Sequence, residues 1–195
     1  MSIHLVRHGE VHNPDGLVYG DIPGFDLSDT GRRQAAQAAA YLGAHPVTEV
    51  WASPLQRALR TAELVASPHL LPIKVDPDLI EWRLDSWTGI PWSDLPVQRV
   101  GELEAYRADP TDLPFARESL DHLAARVCTV IIKRLEEAAG DVVVIGHQDP
   151  LQAARLRLTG KPAAAQHQDK PGHCSVITLE WGNPWREVGH WRPQG

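Results

Sequence analysis

The chain has 195 residues, 43% of them apolar, a length that one domain can fold around a sizeable core. Its 19 Lys and Arg stand against 25 Asp and Glu, a formal charge of −6. That balance excludes a general binder of nucleic acid or anionic membrane and makes any anion site a local one.

Ile3–Val6 reads as a buried strand, followed by a Gly- and Pro-rich loop from Asn13 to Asp26. Ser28 is placed as the N-cap of an Ala-rich helix that stops near Gly43. Glu49–Ala52 reads as a second strand, with Ser53-Pro54 as cap and first position of a helix running to about Val65. Pro72–Val75 is a weaker strand. Residues Trp82 to Arg117, rich in Trp and Pro, break the alternation. They read as a cap insertion over one sheet edge and the active site, within a single domain of residues 1–195. Leu120, Leu123, Ala124, Val127, Val130, Ile131 and Leu135 keep helical spacing and predict a helix over Glu118–Ala139, ended by Gly140. Val142–Ile145 is a β-branched strand, and a helix follows near Leu151–Leu158. Ser175–Trp181 and Arg186–Trp191 form a closing strand pair. Strands alternating with helices predict an α/β fold, a three-layer α/β/α sandwich around a mostly parallel sheet.

The longest apolar runs fall far short of the ~18 residues of a membrane span. The start lacks the basic and apolar regions of a secretory leader, so a cytoplasmic protein without membrane contact is expected. Cys128 and Cys174 form no CxxC pair, which supports neither a disulfide framework nor a thiolate zinc site.

Parallel sheets bind ligands beyond the C-terminal ends of their strands. Arg7-His8 and Gly146-His147 each end a predicted strand, and Arg57 falls in the first turn of a helix after another. Three segments thus deliver two Arg and two His to one rim, a cluster suited to a phosphate group. No P-loop, G-x-G-x-x-G, G-x-S-x-G or H-E-x-x-H is present. His167, His173 and Cys174 read as a solvated loop rather than a metal site, so neither metal nor cofactor is expected. Trp82, Trp87 and Trp92 read as packing residues, and Arg83, Arg99, Arg107 and Arg117 as solvated.

Leu5-Val6-Arg7-His8-Gly9-Glu10 resembles the R-H-G motif of the histidine phosphatase superfamily, in its phosphoglycerate mutase-like branch. Leu27-Ser28-x-x-Gly31-x-x-Gln34-Ala35, Ser53-Pro54-Leu55-Gln56-Arg57-Ala58-x-x-Thr61-Ala62, Leu79-x-Glu81 and Val144-Ile145-Gly146-His147 follow in that family's order and span nearly the whole chain. The resemblance implies a metal-independent phosphomonoesterase acting on a small-molecule phosphate ester. His8 would be the nucleophile and form a phosphohistidine. Arg7, Arg57 and His147 would hold the phosphoryl oxygens, with Asn13 and Gln148 as further substrate contacts. Glu81 would be the general acid and base. The neighbouring cations are expected to keep the His8 imidazole neutral.

Several positions depart from the family pattern. Asn13 lies one residue closer to the catalytic His than the family's Asn, Gly146 replaces a Ser or Thr, and Gln148-Asp149-Pro150 replaces glycines. Asp85 stands as the alternative acid. Trp82–Arg117 carries no paired-Arg run, which ranks hydrolysis above the alternative of a cofactor-dependent phosphoglycerate mutase. A non-catalytic binder of phosphorylated ligands ranks third. The sequence leaves the oligomeric state open.

Overall fold

A computed structural model describes residues 1–194. Its centre is a six-stranded sheet in the order β3-β2-β4-β1-β5-β6. The strands are β1 (Ser2–Arg7), β2 (Val47–Ala52), β3 (Ile73–Val75), β4 (Asp141–Gly146), β5 (Val176–Glu180) and β6 (Arg186–Trp191). The first four run parallel, whereas β5 lies antiparallel to β1 and β6 antiparallel to β5, so the sheet is mixed. Helices cover both faces, and this is why β4 is buried at every position. On one face Ile3, Leu5, Val142 and Val144 pack against α5 (Leu120–Glu137) and α6 (Gln148–Leu158). On the other, Val6, Val143 and Ile145 pack against α1 (Asp29–Leu42) and α2 (Gln56–Ala66). No helix among the described residues is long and apolar enough to cross a membrane.

Local chemistry sets the helix starts. The Ser28 hydroxyl accepts from Gly31 N and the Ser119 hydroxyl from His122 N, each satisfying a free donor of the first turn. The expected cap at Ser53 is not formed. Helix α2 begins at Gln56 with Leu55 at the cap position, and the Ser53 hydroxyl meets His147 Nε2 as well as Leu55 N.

Segment 82–117 carries the short helices α3 (Leu95–Gln98) and α4 (Val100–Ala108). Its Trp82, Trp87, Leu95 and Leu103 pack on Leu120 and Leu123 of α5 and Ala153 of α6. It therefore lies beyond the C-terminal ends of the strands, not over a sheet edge; the edges belong to β3 and β6. The Glu102 carboxylate ties the segment together by accepting from Trp87 Nε1 at 2.8 Å and Ser86 Oγ at 2.6 Å.

Candidate active site

The chain leaves β1 at Arg7 and turns at once into Gly9, where a Cβ would stand 2.6 Å from the Gly31 carbonyl oxygen. A Cβ on Gly31 would in turn stand 2.0 Å from Glu10 O. Only two glycines allow the first turn of α1 to sit on the strand end this closely. Ser28 and Gln34 complete the clamp: Ser28 Oγ donates to Glu10 Oε1, and Glu10 N donates to Gln34 Oε1. Gly9 N donates to Thr61 Oγ1 of α2 at 3.0 Å, fixing the same turn to the helix that carries Arg57. The conspicuous Ser, Gly, Gln and Thr of these motifs thus hold His8 in place.

The His8 and His147 rings lie 5.2 Å apart, centroid to centroid, and both are buried. His8 Nδ1–H donates to its neighbour's carbonyl, Gly9 O, at 2.8 Å, which leaves Nε2 with its lone pair. Burial first, then the charges of Arg57 and Arg7, hold the His8 pKa well below its ordinary value, so the ring is neutral at pH 7. His147 Nε2 lies 2.7 Å from Ser53 Oγ. That hydroxyl accepts from Leu55 N at 3.4 Å and has its own proton to give; when it donates to Nε2, the ring proton sits on Nδ1. The His147 Nδ1 atom is buried without a partner, 3.9 Å from Glu81 Oε2.

Arg57 is buried, lies 4.6 Å over the Tyr19 ring and donates from Nη2 to Gly20 O. Arg7 donates from Nη1 to Pro171 O, which also accepts from Gln148 Nε2. Arg7 Nε and Arg57 Nε are both buried without a partner. Glu81 is raised to about 7, by burial first and then by the charge of Asp149, against the opposing pull of Arg57 and Arg7. A carboxyl poised there exchanges protons readily at neutral pH.

Arg7, His8, Glu81 and Gln148 line an open cavity of about 150 Å³. Arg57 and His147 are not among its lining residues but adjoin two that are, Arg57 over the Tyr19 ring and His147 beside the His8 ring. Two sequence candidates lie elsewhere. Asn13 uses its amide at both ends on Leu17, donating to Leu17 O and accepting from Leu17 N, and does not line the cavity. The turn at 13–17 uses both ends of its side chain, so it presents no free group to the cavity. Asp85 is exposed and paired with Arg117, which removes it as an alternative acid. A Cβ at Gly146 would stand 3.4 Å from Leu151, so a Ser hydroxyl there has little spare room.

Sequence reasoning missed other neighbours. The His173 ring lies 5.7 Å from that of His8, and burial, then Arg7, lowers its pKa to about 4. It is no solvated loop residue. Its placement follows from the register: Val176 pairs with Val6, so the residues just before β5 must cross the end of β1, where Cys174 N donates to Arg7 O. His167 instead donates from Nε2 to the Tyr106 carbonyl at 2.6 Å and shares no site with His173. Asp149 lines the cavity and accepts from Lys170 Nζ at 2.6 Å. Helix α6 starts at Gln148, ahead of the expected start near Leu151, and this earlier start carries Asp149 to the rim.

Two imidazoles and two guanidiniums converging at the carboxyl ends of parallel strands define a site for a tetrahedral oxyanion beside a nucleophilic nitrogen. A sequence profile of the histidine phosphatase superfamily (branch 1) matches residues 3–192, and the chain belongs to that superfamily. It is 42% identical over 187 residues to the uncharacterized protein Rv0525 of Mycobacterium tuberculosis, covering 91% of this chain and 87% of that one. It is 32% identical over 168 residues to the adenosylcobalamin/alpha-ribazole phosphatase of Escherichia coli, covering 85% and 82%. Among solved structures, the mycobacterial glucosyl-3-phosphoglycerate phosphatase complexed with VO3 superposes with a TM-score of 0.88 at 26% identity, covering 99% of both chains.

Proposed function

We propose that the protein is a phosphomonoesterase that works through a phosphohistidine on His8. The observation that carries this reading is the set of three buried, unpartnered donors around His8: Arg7 Nε, Arg57 Nε and His147 Nδ1. Each costs about 1–3 kcal/mol if left unpaired, and a phosphoryl group with three equatorial oxygens relieves all three. The relatives support the same class of chemistry: two are named phosphatases, and one binds the oxyanion VO3.

In the first half-reaction His8 Nε2 attacks phosphorus while the ester P–O bond breaks, and the departing alkoxide takes the proton of Glu81. Arg7, Arg57 and His147 hold the equatorial oxygens and offset their developing charge, with phosphoryl oxygens replacing the Gly20 and Pro171 carbonyls as guanidinium partners. In the second half-reaction the Glu81 carboxylate takes a proton from water, whose oxygen attacks phosphorus and releases neutral His8. The two arginines supply the positive charge that the reaction needs and neutral His147 adds a hydrogen bond, so a metal is not required. Gln148, at the start of α6, contacts the ester from the rim.

Incubating the protein with an aryl phosphate in EDTA tests the reading. Steady release of inorganic phosphate, with acid-labile label from ³²P-substrate trapped on His8, is expected. Turnover that stops with EDTA and returns with a divalent ion overturns metal independence. Isomerisation of 3-phosphoglycerate outrunning phosphate release replaces hydrolysis by mutase activity.

A further inference from the structure

Beyond the phosphoryl cradle, the walls of the cavity carry a second kind of information. Leu17, Trp82, Trp87, Trp92 and Tyr106 make them largely apolar and aromatic, and Trp92 is 52% exposed at the mouth. These walls are braced. Val18 N donates to Ile90 O, Gly89 N to Val18 O and Trp92 N to Gly16 O, so the loop after β1 and the 82–117 segment form one surface.

Cationic groups are missing from that surface. Among the described residues, Arg7 is the one Lys or Arg side chain that lines the cavity, and its partners belong to the cradle. The nearby cations are committed: Arg83 to Asp21 at 2.8 Å, Arg117 to Asp85, and Arg99 to the Ser86 and Gln98 carbonyls. Lys170 is held by Asp149 Oδ1 at 2.6 Å and the Tyr106 hydroxyl at 2.9 Å. The other charged side chains that do line the cavity are Glu81 and Asp149, both acids. A second anionic group on a substrate would leave water for a surface with no free counter-ion and carboxylates beside it.

We infer that the site selects phosphate monoesters whose alcohol part is uncharged and apolar or aromatic, and rejects esters that carry a carboxylate or a second phosphate. This inference rests on the phosphomonoesterase reading and adds the substrate class. Asp149 is then a specificity-determining residue: by pairing with Lys170 it neutralises the one nearby cation that could serve as an anion receptor.

The test compares kcat/KM for three alkyl esters whose alkoxides leave with similar difficulty: 2-phenylethyl phosphate, glycerol 3-phosphate and 3-phosphoglycerate. The first is expected to exceed the last by at least about tenfold, with the uncharged polar ester between them. Asp149→Asn frees Lys170, and Thr88→Lys places a new cation on the cavity wall. Each is expected to raise the ratio of 3-phosphoglycerate to 2-phenylethyl phosphate turnover by about tenfold. A ratio within one variant is independent of the fraction folded, so partial misfolding does not mask the result. Equal turnover of 2-phenylethyl phosphate and 3-phosphoglycerate by the unaltered protein overturns the selectivity and leaves the phosphatase reading intact. Ratios unmoved by both substitutions overturn the role of wall charge. No turnover of these esters or of an aryl phosphate overturns the phosphatase reading, and the substrate class falls with it.

Discussion

His4 lies within β1 and His8 one residue beyond its C-terminal end, both buried and both with pKa values lowered first by burial. Their surroundings differ. His4 meets Thr178 Oγ1 through Nδ1 at 3.0 Å and Asp141 Oδ2 through Nε2 at 3.3 Å, so both ring nitrogens are satisfied. His8 satisfies Nδ1 alone and faces two guanidiniums where His4 faces a carboxylate. Burial is therefore no mark of function. The distinguishing features are an open nitrogen and a local charge that an anion would neutralise.

Substitution at the two positions is the sharpest way to break this comparison. His8→Ala is expected to cost at least about 10³-fold in kcat with a nearly unchanged melting temperature. His4→Ala is expected to do the reverse, losing about 2–4 kcal/mol of stability because Asp141 and Thr178 lose a buried partner, with activity per folded molecule kept. Denaturant titration and turnover on one preparation check both. Loss of turnover in a fully stable His4→Ala protein would break the distinction.

The histidines also predict how stability follows pH. His4, His8, His147 and His173 all have pKa values lowered in the folded state from 6.5. As pH falls through that value the unfolded chain binds protons that the native one refuses, so stability declines. Glu81, raised from 4.5 to about 7, binds a proton in the native state first and works in the opposite direction, one group against these four and half-buried His190, which is lowered as well. The urea midpoint is expected to be lower at about pH 5.5 than at about pH 7.5. A midpoint that rises on acidification counts against four neutral buried imidazoles.

Glu81→Gln sharpens the contrast at the active end of the strand. Loss of the acid is expected to slow alkyl esters by about 10²–10⁴-fold and aryl esters much less, since a phenolate leaves with little help. In the unaltered protein kcat/KM for an alkyl ester should fall above pH 7 as Glu81, raised to about 7, gives up its proton. The variant should lose that limb. Ser53→Ala follows with about a tenfold loss in kcat, the worth of one buried hydrogen bond that fixes the His147 tautomer. An Asn at position 53, able to donate to Nε2, is expected to restore part of it.

Strand ends pointed to Arg7, His8 and His147, each at or next to the end of a strand that hydrophobic patterning marks; Arg57 followed from a helix start, and Glu81 from family order alone. Ser53 was misread because a Ser before Pro has the form of a helix cap, and only the three-dimensional approach of β4 to β2 brings His147 to its hydroxyl. His173 was hidden by topology. It becomes predictable once β5 is known to pair antiparallel with β1, a pairing that the pattern of a closing hairpin does not specify. The position of the 82–117 segment was legible only in part, since its Trp residues announce burial without naming the helices they cover.

Asn13 provides the smallest and most discriminating effect. The family resemblance offers it as a substrate contact although it lies one residue closer to His8 than the family's Asn, and its amide spans the turn to Leu17, donating at 2.9 Å and accepting at 3.0 Å. Those two bonds close the turn that aims Leu17, Val18 and Tyr19 at the cavity. Asn13→Ala is therefore expected to leave kcat for an aryl phosphate within about twofold and to cost about 1 kcal/mol of stability. Any rise in KM should be larger for an ester with an aromatic alcohol, which needs the Leu17 wall, than for inorganic phosphate as a competitive inhibitor, which needs only the cradle. A parallel loss for both ligands would return Asn13 to the phosphate and make the turn at 13–17 a closed form that opens when the anion arrives.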